Sequence, residues 1–202
     1  MKNITHYNEF VSESKKDKVV DEESSTKLDL IKKEPNKQLI RAAIDGSLID
    51  IKSSLKYGAD INYNHSEALT AAAEFNNIKI VRYLVENGAI ITANDNAALW
   101  AACVEGNINI VKYLVENGAK IEDKCLIYAI REENIEVVNY LLENGANVNA
   151  KENSPITAAV KKDNIKLVKM LLDNGAKVTD MLLKTADRYS SDNLIDLLAD
   201  NI

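Results

Sequence analysis

Tyr83-Leu84-Val85-Glu86-Asn87-Gly88-Ala89 returns as Tyr113-Leu114-Val115-Glu116-Asn117-Gly118-Ala119 and again as Tyr140-Leu141-Leu142-Glu143-Asn144-Gly145-Ala146. Met170-Leu171-Leu172-Asp173-Asn174-Gly175-Ala176 varies the same phrase, and Gly58-Ala59 precedes the series. Successive glycines are 30, 30, 27 and 30 residues apart. Self-similarity at a period of this size marks a chain built from stacked units rather than one built around a single closed core.

Working outward from each phrase gives the unit. Ile78, Val81, Leu84 and Val85 fall at helical spacing ahead of Gly88. Ile108, Val111, Leu114 and Val115 repeat the stripe, as do Ile135, Val138, Leu141 and Leu142, then Ile165, Val168, Leu171 and Leu172. A glycine behind such a stripe is a helix stop, because it accepts the left-handed conformation without steric cost. Upstream lies a second, small-residue helix: Leu69-Thr70-Ala71-Ala72-Ala73, Leu99-Trp100-Ala101-Ala102-Cys103 and Ile156-Thr157-Ala158-Ala159-Val160. Helices this short are marginal alone, so each unit needs neighbours to cover its apolar face.

In these features the chain resembles the ankyrin repeat family, whose unit is a β-turn and two helices with a T-P-L-H-x-A signature and a period of about 33 residues. Ser154-Pro155-Ile156-Thr157-Ala158-Ala159 comes nearest to that signature. Gly58-Ala59-Asp60-Ile61-Asn62 and Gly145-Ala146-Asn147-Val148-Asn149 resemble the family's turn. The fold class implied is all-α, an ankyrin-type helical repeat solenoid with shortened β-turn fingers. With the helices intact, the missing residues must come from the segment between Gly-Ala and the next first helix. Neither Ala93-Asn94-Asp95-Asn96 nor Glu122-Asp123-Lys124 has a glycine for a finger tip. Shortened units of this kind are similar to those of large DNA viruses and some intracellular parasites.

The array is expected to hold about six units. A degenerate N-terminal cap spans 37–60, followed by units at 66–90, 96–120, 123–147 and 153–177 and a C-terminal cap at 180–202. In the first, Ser53 and Ser54 replace leucines, as a wet outer face would allow. Residues 1–36 are polar and mixed in charge, with Ser12-Glu13-Ser14-Lys15-Lys16-Asp17-Lys18 and Asp21-Glu22-Glu23-Ser24-Ser25, and read as a largely disordered tail. Within it Leu28, Leu30 and Ile31 offer a capping turn that ends by Pro35.

The composition narrows function by exclusion. The chain has 202 residues and a formal net charge of −6, which disfavours a nucleic-acid partner. No apolar run approaches the ~18 residues of a membrane span, and no apolar leader follows Met1. A soluble protein of the reduced intracellular, cytoplasmic compartment (a host's, if the chain is viral) is the expectation. Cys103 and Cys125 lack metal-ligand spacing and fall in apolar stretches, where a thiol acts as a small hydrophobe. The two histidines, His6 and His65, lie apart from either cysteine in the repeat register. With no phosphate-binding loop or metal motif either, catalysis, cofactor and metal are all expected to be absent.

The resemblance implies a protein partner bound along the concave face, at the exposed ends of the first helices. Register places Glu74 and Phe75, Glu105, Arg131 and Glu132, Lys161 and Lys162, and Arg188 and Tyr189 at those ends, with Trp100 at the place of the signature histidine. Acidic and apolar groups come early and basic ones late. Trp100 can equally fill space between neighbouring helices, and the late cations can simply complement helix dipoles. The leading expectation is a monomeric interaction module or adaptor without catalysis. One alternative is self-association through Tyr83, Tyr113 and Tyr140 on the outer helices. Another is substrate recruitment to a ubiquitin ligase, which calls for a C-terminal recruiting motif beyond the last repeat.

Overall fold

The computed structural model describes residues 26–201, so residues 1–25 of the tail expected over 1–36 lie outside the described residues, whereas the part from 26 to 33 is helical. A helix over residues 26–33 (α1) is followed by α2 (Pro35–Asp45), α3 (Leu48–Lys56), α4 (Tyr63–Glu74), α5 (Ile78–Glu86), α6 (Ala93–Val104) and α7 (Ile108–Glu116). Then come α8 (Asp123–Arg131), α9 (Ile135–Glu143), α10 (Ala150–Lys161), α11 (Ile165–Asp173), α12 (Asp180–Tyr189) and α13 (Asp192–Ala199). No strand occurs among the described residues. From α2 onward the helices pair as inner and outer: α2, α4, α6, α8, α10 and α12 stack on one another, and α3, α5, α7 and α9 line up behind them. The chain is an all-helical solenoid.

The small residues of the inner helices are what let the layers close. Ala43, Ala72, Ala73, Ala102, Cys103, Ala129, Ala159 and Ala186 are fully buried, where a larger side chain would hold neighbouring units apart. Val81, Leu84, Val111, Leu114, Val138, Leu141, Val168 and Leu171 fill the space between the two layers. Ile80, Ile110, Val137 and Leu167 are buried as well, which makes each outer helix apolar on more of its circumference than the stripe in the sequence suggests. Such wide burial fits an outer helix that packs on its own partner and on both neighbouring units.

The shortened fingers have a definite structure. In α4 the residues Asn64, His65 and Ser66 have φ of 49, 60 and 60°. In α6 the residues Asn94, Asp95 and Asn96 have φ of 48, 52 and 56°. Each trio is a single left-handed turn ahead of the right-handed helix. Asparagine and aspartate tolerate this region better than most residues, since their short polar side chains bond locally. Lys151 opens the corresponding turn of α10 with φ 43°. In register, Pro155 then falls in the first right-handed turn, where its missing N–H breaks no ladder. The segment before α8 dispenses with the turn: Glu122 is extended and Asp123 starts the helix directly. Those three residues are the difference between the 30-residue and the 27-residue spacing.

Asparagines join one unit to the next. Asn77 Nδ2 donates to the carbonyls of Ala43 and Ile44 at 2.7 and 2.9 Å, and Asn107 Nδ2 to those of Ala73 and Glu74 at 2.8 and 3.2 Å. Asn134 Nδ2 does the same to Cys103 and Val104 at 3.1 and 2.7 Å. Each staple runs from the start of an outer helix to the orphan carbonyls ending the previous inner helix. Space for it is tight, because a Cβ on Gly106 would stand 2.6 Å from Asn134 Oδ1. At the turns Asn62 Oδ1 accepts from Ile90 N and its Nδ2 donates to the Gly88 carbonyl, and Asn149 makes the matching pair with Lys177 N and Gly175.

The first unit departs from expectation at one serine. Ser54 is fully buried rather than wet, and its hydroxyl has no hydrogen-bond partner among the described residues. It occupies the position of Leu84 and Leu114, between the layers, so the register buries it whatever its polarity. Ser53, half-buried, donates to the Ile49 carbonyl. Ahead of this unit α1 lays Ile31 into the core, and Lys27 pairs with Asp50 at 2.6 Å.

Candidate partner-binding surface

The inner helices end on one side of the solenoid, and there the sequence-derived candidates gather. Phe75 follows the last residue of α4 and is 51% exposed; Tyr189 ends α12 and is 52% exposed. Glu74, Glu105, Arg131, Glu132, Lys161, Lys162 and Arg188 are exposed at equivalent helix ends. Their backbone is ordinary right-handed helix or the bridge region just after it, and their side chains stay exposed outside the stack.

Trp100 packs against the next unit without being covered by it. Its ring meets Tyr128 of the next inner helix edge-on, with centroids 5.7 Å apart and planes at 86°, yet it stays 37% exposed. Tyr128 in turn lies under the Arg131 guanidinium, 5.2 Å from the ring centroid. The three form one platform across α6 and α8, built from the residue types that dominate binding hot spots. Beyond it the surface dips into a cleft of about 440 Å³ lined by Arg131, Glu132, Ser154, Thr157, Ala158, Lys161 and Lys162. Four of the ten candidates therefore meet in one concavity between α8 and α10. Glu74, Phe75, Glu105, Arg188 and Tyr189 are placed elsewhere along the same edge.

Tyr128, Ser154 and Thr157 were not singled out from the sequence. Aligning inner helices offers a signal for the first: Tyr128 stands where Ala71, Ala101 and Ala158 stand in other units. A bulky ring at an alanine position has nowhere to go except outward.

The outer helices use their aromatics differently. Lys52 lies over Tyr83, Arg82 over Tyr113 and Lys112 over Tyr140, at 5.4, 4.5 and 5.7 Å from the ring centroids. Each cation belongs to one unit and each ring to the next. Tyr113 is buried and the other two half-buried, so these tyrosines pack between neighbours rather than forming a free aromatic ridge. Burial, aided by the Glu86 carboxylate, pushes the Tyr113 hydroxyl above its ordinary pKa. In the core, contact with Cys125 and burial push the Cys103 thiol well above its ordinary pKa, while the same contact lowers that of Cys125. No cluster of three metal-ligating side chains occurs among the described residues, and no described helix is long and apolar enough to cross a membrane.

Comparison with known proteins agrees with this architecture. No curated protein matches the chain. Among solved structures, the crystal structure of the human ASB11 ankyrin repeat domain superposes with a TM-score of 0.71 at 27% identity, covering 81% of this chain and 82% of that one. The family described as "Ankyrin repeats (3 copies)" matches residues 39–125 and 120–181, so the stacked helix pairs, the Gly-Ala turns and the inter-unit register are those of a known unit, and the chain belongs to the ankyrin repeat family.

Proposed function

We propose that this chain is an interaction module that holds a partner protein along its concave edge and performs no chemistry on it. The observation that carries this reading is the division of aromatic side chains between the two faces. Outer-helix tyrosines are consumed by the cations of neighbouring units, whereas Phe75, Trp100 and Tyr189 remain open on the inner edge. Exposed aromatics beside arginine and lysine are what a binding surface presents, and a scaffold that only had to stack would bury them.

The short fingers support first-helix ends as the main contact surface. The change from Glu74 and Glu105 to Lys161, Lys162 and Arg188 gives that surface a polarity, so the partner should lie in one direction along the array. Charge reversal at Lys161, Lys162 and Arg188 together is expected to weaken partner binding while leaving the thermal midpoint unchanged, since all three side chains are exposed. Photo-crosslinkers at Phe75 and Tyr189 should capture the partner, and crosslinkers at Lys79 and Lys169 on the outer helices should not. Capture through the outer positions alone would overturn the reading.

A further inference from the structure

The cleft between α8 and α10 stands out because its charge opposes that of the chain. Among the described residues, Arg131, Lys161 and Lys162 line it against a single carboxylate, Glu132, in a protein whose formal net charge is −6. None of the three cations forms an ion pair among the described residues. Three cations beside one carboxylate leave an excess of positive charge, and an incoming anion relieves the repulsion among them. The rest of the lining is small: Ser154, Thr157 and Ala158 leave the space that larger residues would fill.

Arg131 also joins the cleft to the Trp100–Tyr128 platform. Its guanidinium and the Trp100 ring lie 5.2 and 5.7 Å from the Tyr128 ring centroid. An extended chain, rising about 3.3 Å per residue, passes from one to the other in about three residues. Stacked on Tyr128, the guanidinium keeps its planar fork ordered, which lowers the entropy lost when it grips a carboxylate.

Resting on the reading of the concave edge as the binding surface, we infer that its occupant is an extended acidic peptide segment. One or two carboxylates enter the cleft between Arg131, Lys161 and Lys162. An apolar or aromatic side chain about three residues away lies on Trp100 and Tyr128. Recognition is by charge in the cleft and by ring contact beside it, so both parts of the motif are needed together.

Panning a library of random short peptides against the full-length chain tests this directly. Recovered sequences should be enriched in aspartate and glutamate next to an aromatic or aliphatic residue. In fluorescence titrations of a recovered peptide, the pair K161E and K162E should weaken binding at least about tenfold, the scale of one lost charge contact. W100A should weaken it too, and added salt should do so progressively. Melting curves of the lysine variants should match the parent, because those side chains are exposed. Recovery of basic peptides whose binding is lost in E74K and E105K would overturn the acidic motif while sparing the concave-edge reading. Peptides indifferent to every concave substitution but weakened by K79E or K169E would sink both. Recovery of no binding peptide would also count against the acidic motif.

Discussion

Ser54 shows how a repeat register can overrule a single residue's chemistry. Its hydroxyl sits between helix layers with no partner among the described residues, at a position that other units fill with leucine. An unpaired buried hydroxyl costs about 1–3 kcal/mol relative to a paired one. Ser54→Ala is therefore expected to stabilise the protein by about 1 kcal/mol, read as a higher urea midpoint with an unchanged slope. A lowered midpoint would mean that the hydroxyl has a partner. Trp100 teaches a related lesson. Packing and exposure were competing readings of one side chain, and an edge-on contact that leaves over a third of the residue open satisfies both.

At the scale of elements, the asparagines matter more than composition suggests. Asn107 gives two hydrogen bonds to carbonyls that would otherwise end α4 unpaired. Asn107→Ala is expected to cost about 1 kcal/mol, from one part-buried and one exposed acceptor losing their donor, and Asn134→Ala, whose two bonds are both part-buried, somewhat more. Urea melts of both variants check this. The capping helix α1 depends on Asp50. Burial alone would raise that carboxyl's pKa, but hydrogen bonds from Lys27 and Ser47 outweigh it and set the value below the ordinary one. A depressed pKa means that the contribution is present above the unfolded value and is lost as pH falls through the folded one. Amide exchange in α1 should accordingly be flat from neutral pH down to about pH 5 and accelerate, beyond the intrinsic trend, only in stronger acid. Asp50→Asn should abolish that step.

Across the whole molecule, most of the architecture was legible because it repeats. The Gly-Ala spacing gave the unit, its helices and its stubby fingers, and four of the candidate side chains do line one cleft. What the spacing did not convey was backbone hand. Asn94-Asp95-Asn96 reads as a loop, and only coordinates reveal three consecutive left-handed residues, since side-chain periodicity carries no sign of φ. The Tyr128 platform is less legible, because the register of helix ends says nothing about a bulky residue within an alanine column. Solenoid stability also has a whole-molecule prediction. Removing α12 and α13 takes away the helix that packs on α10 and deletes the Ser190 bond to the Val160 carbonyl. Chains ending at Ala176 should melt earlier and over a broader range by circular dichroism, because loss of a cap weakens nearest-neighbour coupling.

The direction of the asparagine staples has a consequence for how the chain is made. Asn107 lies 34 residues after Ala73, whose carbonyl it holds, and Asn77 and Asn134 reach back in the same sense. In a nascent chain the ends of α2, α4 and α6 therefore each stay unsealed until the next unit's asparagine emerges. At the usual synthesis speed of about 5–20 residues per second, each end waits about 2–7 seconds for its asparagine to emerge. The array closes behind the ribosome like a zip whose slider trails by one tooth.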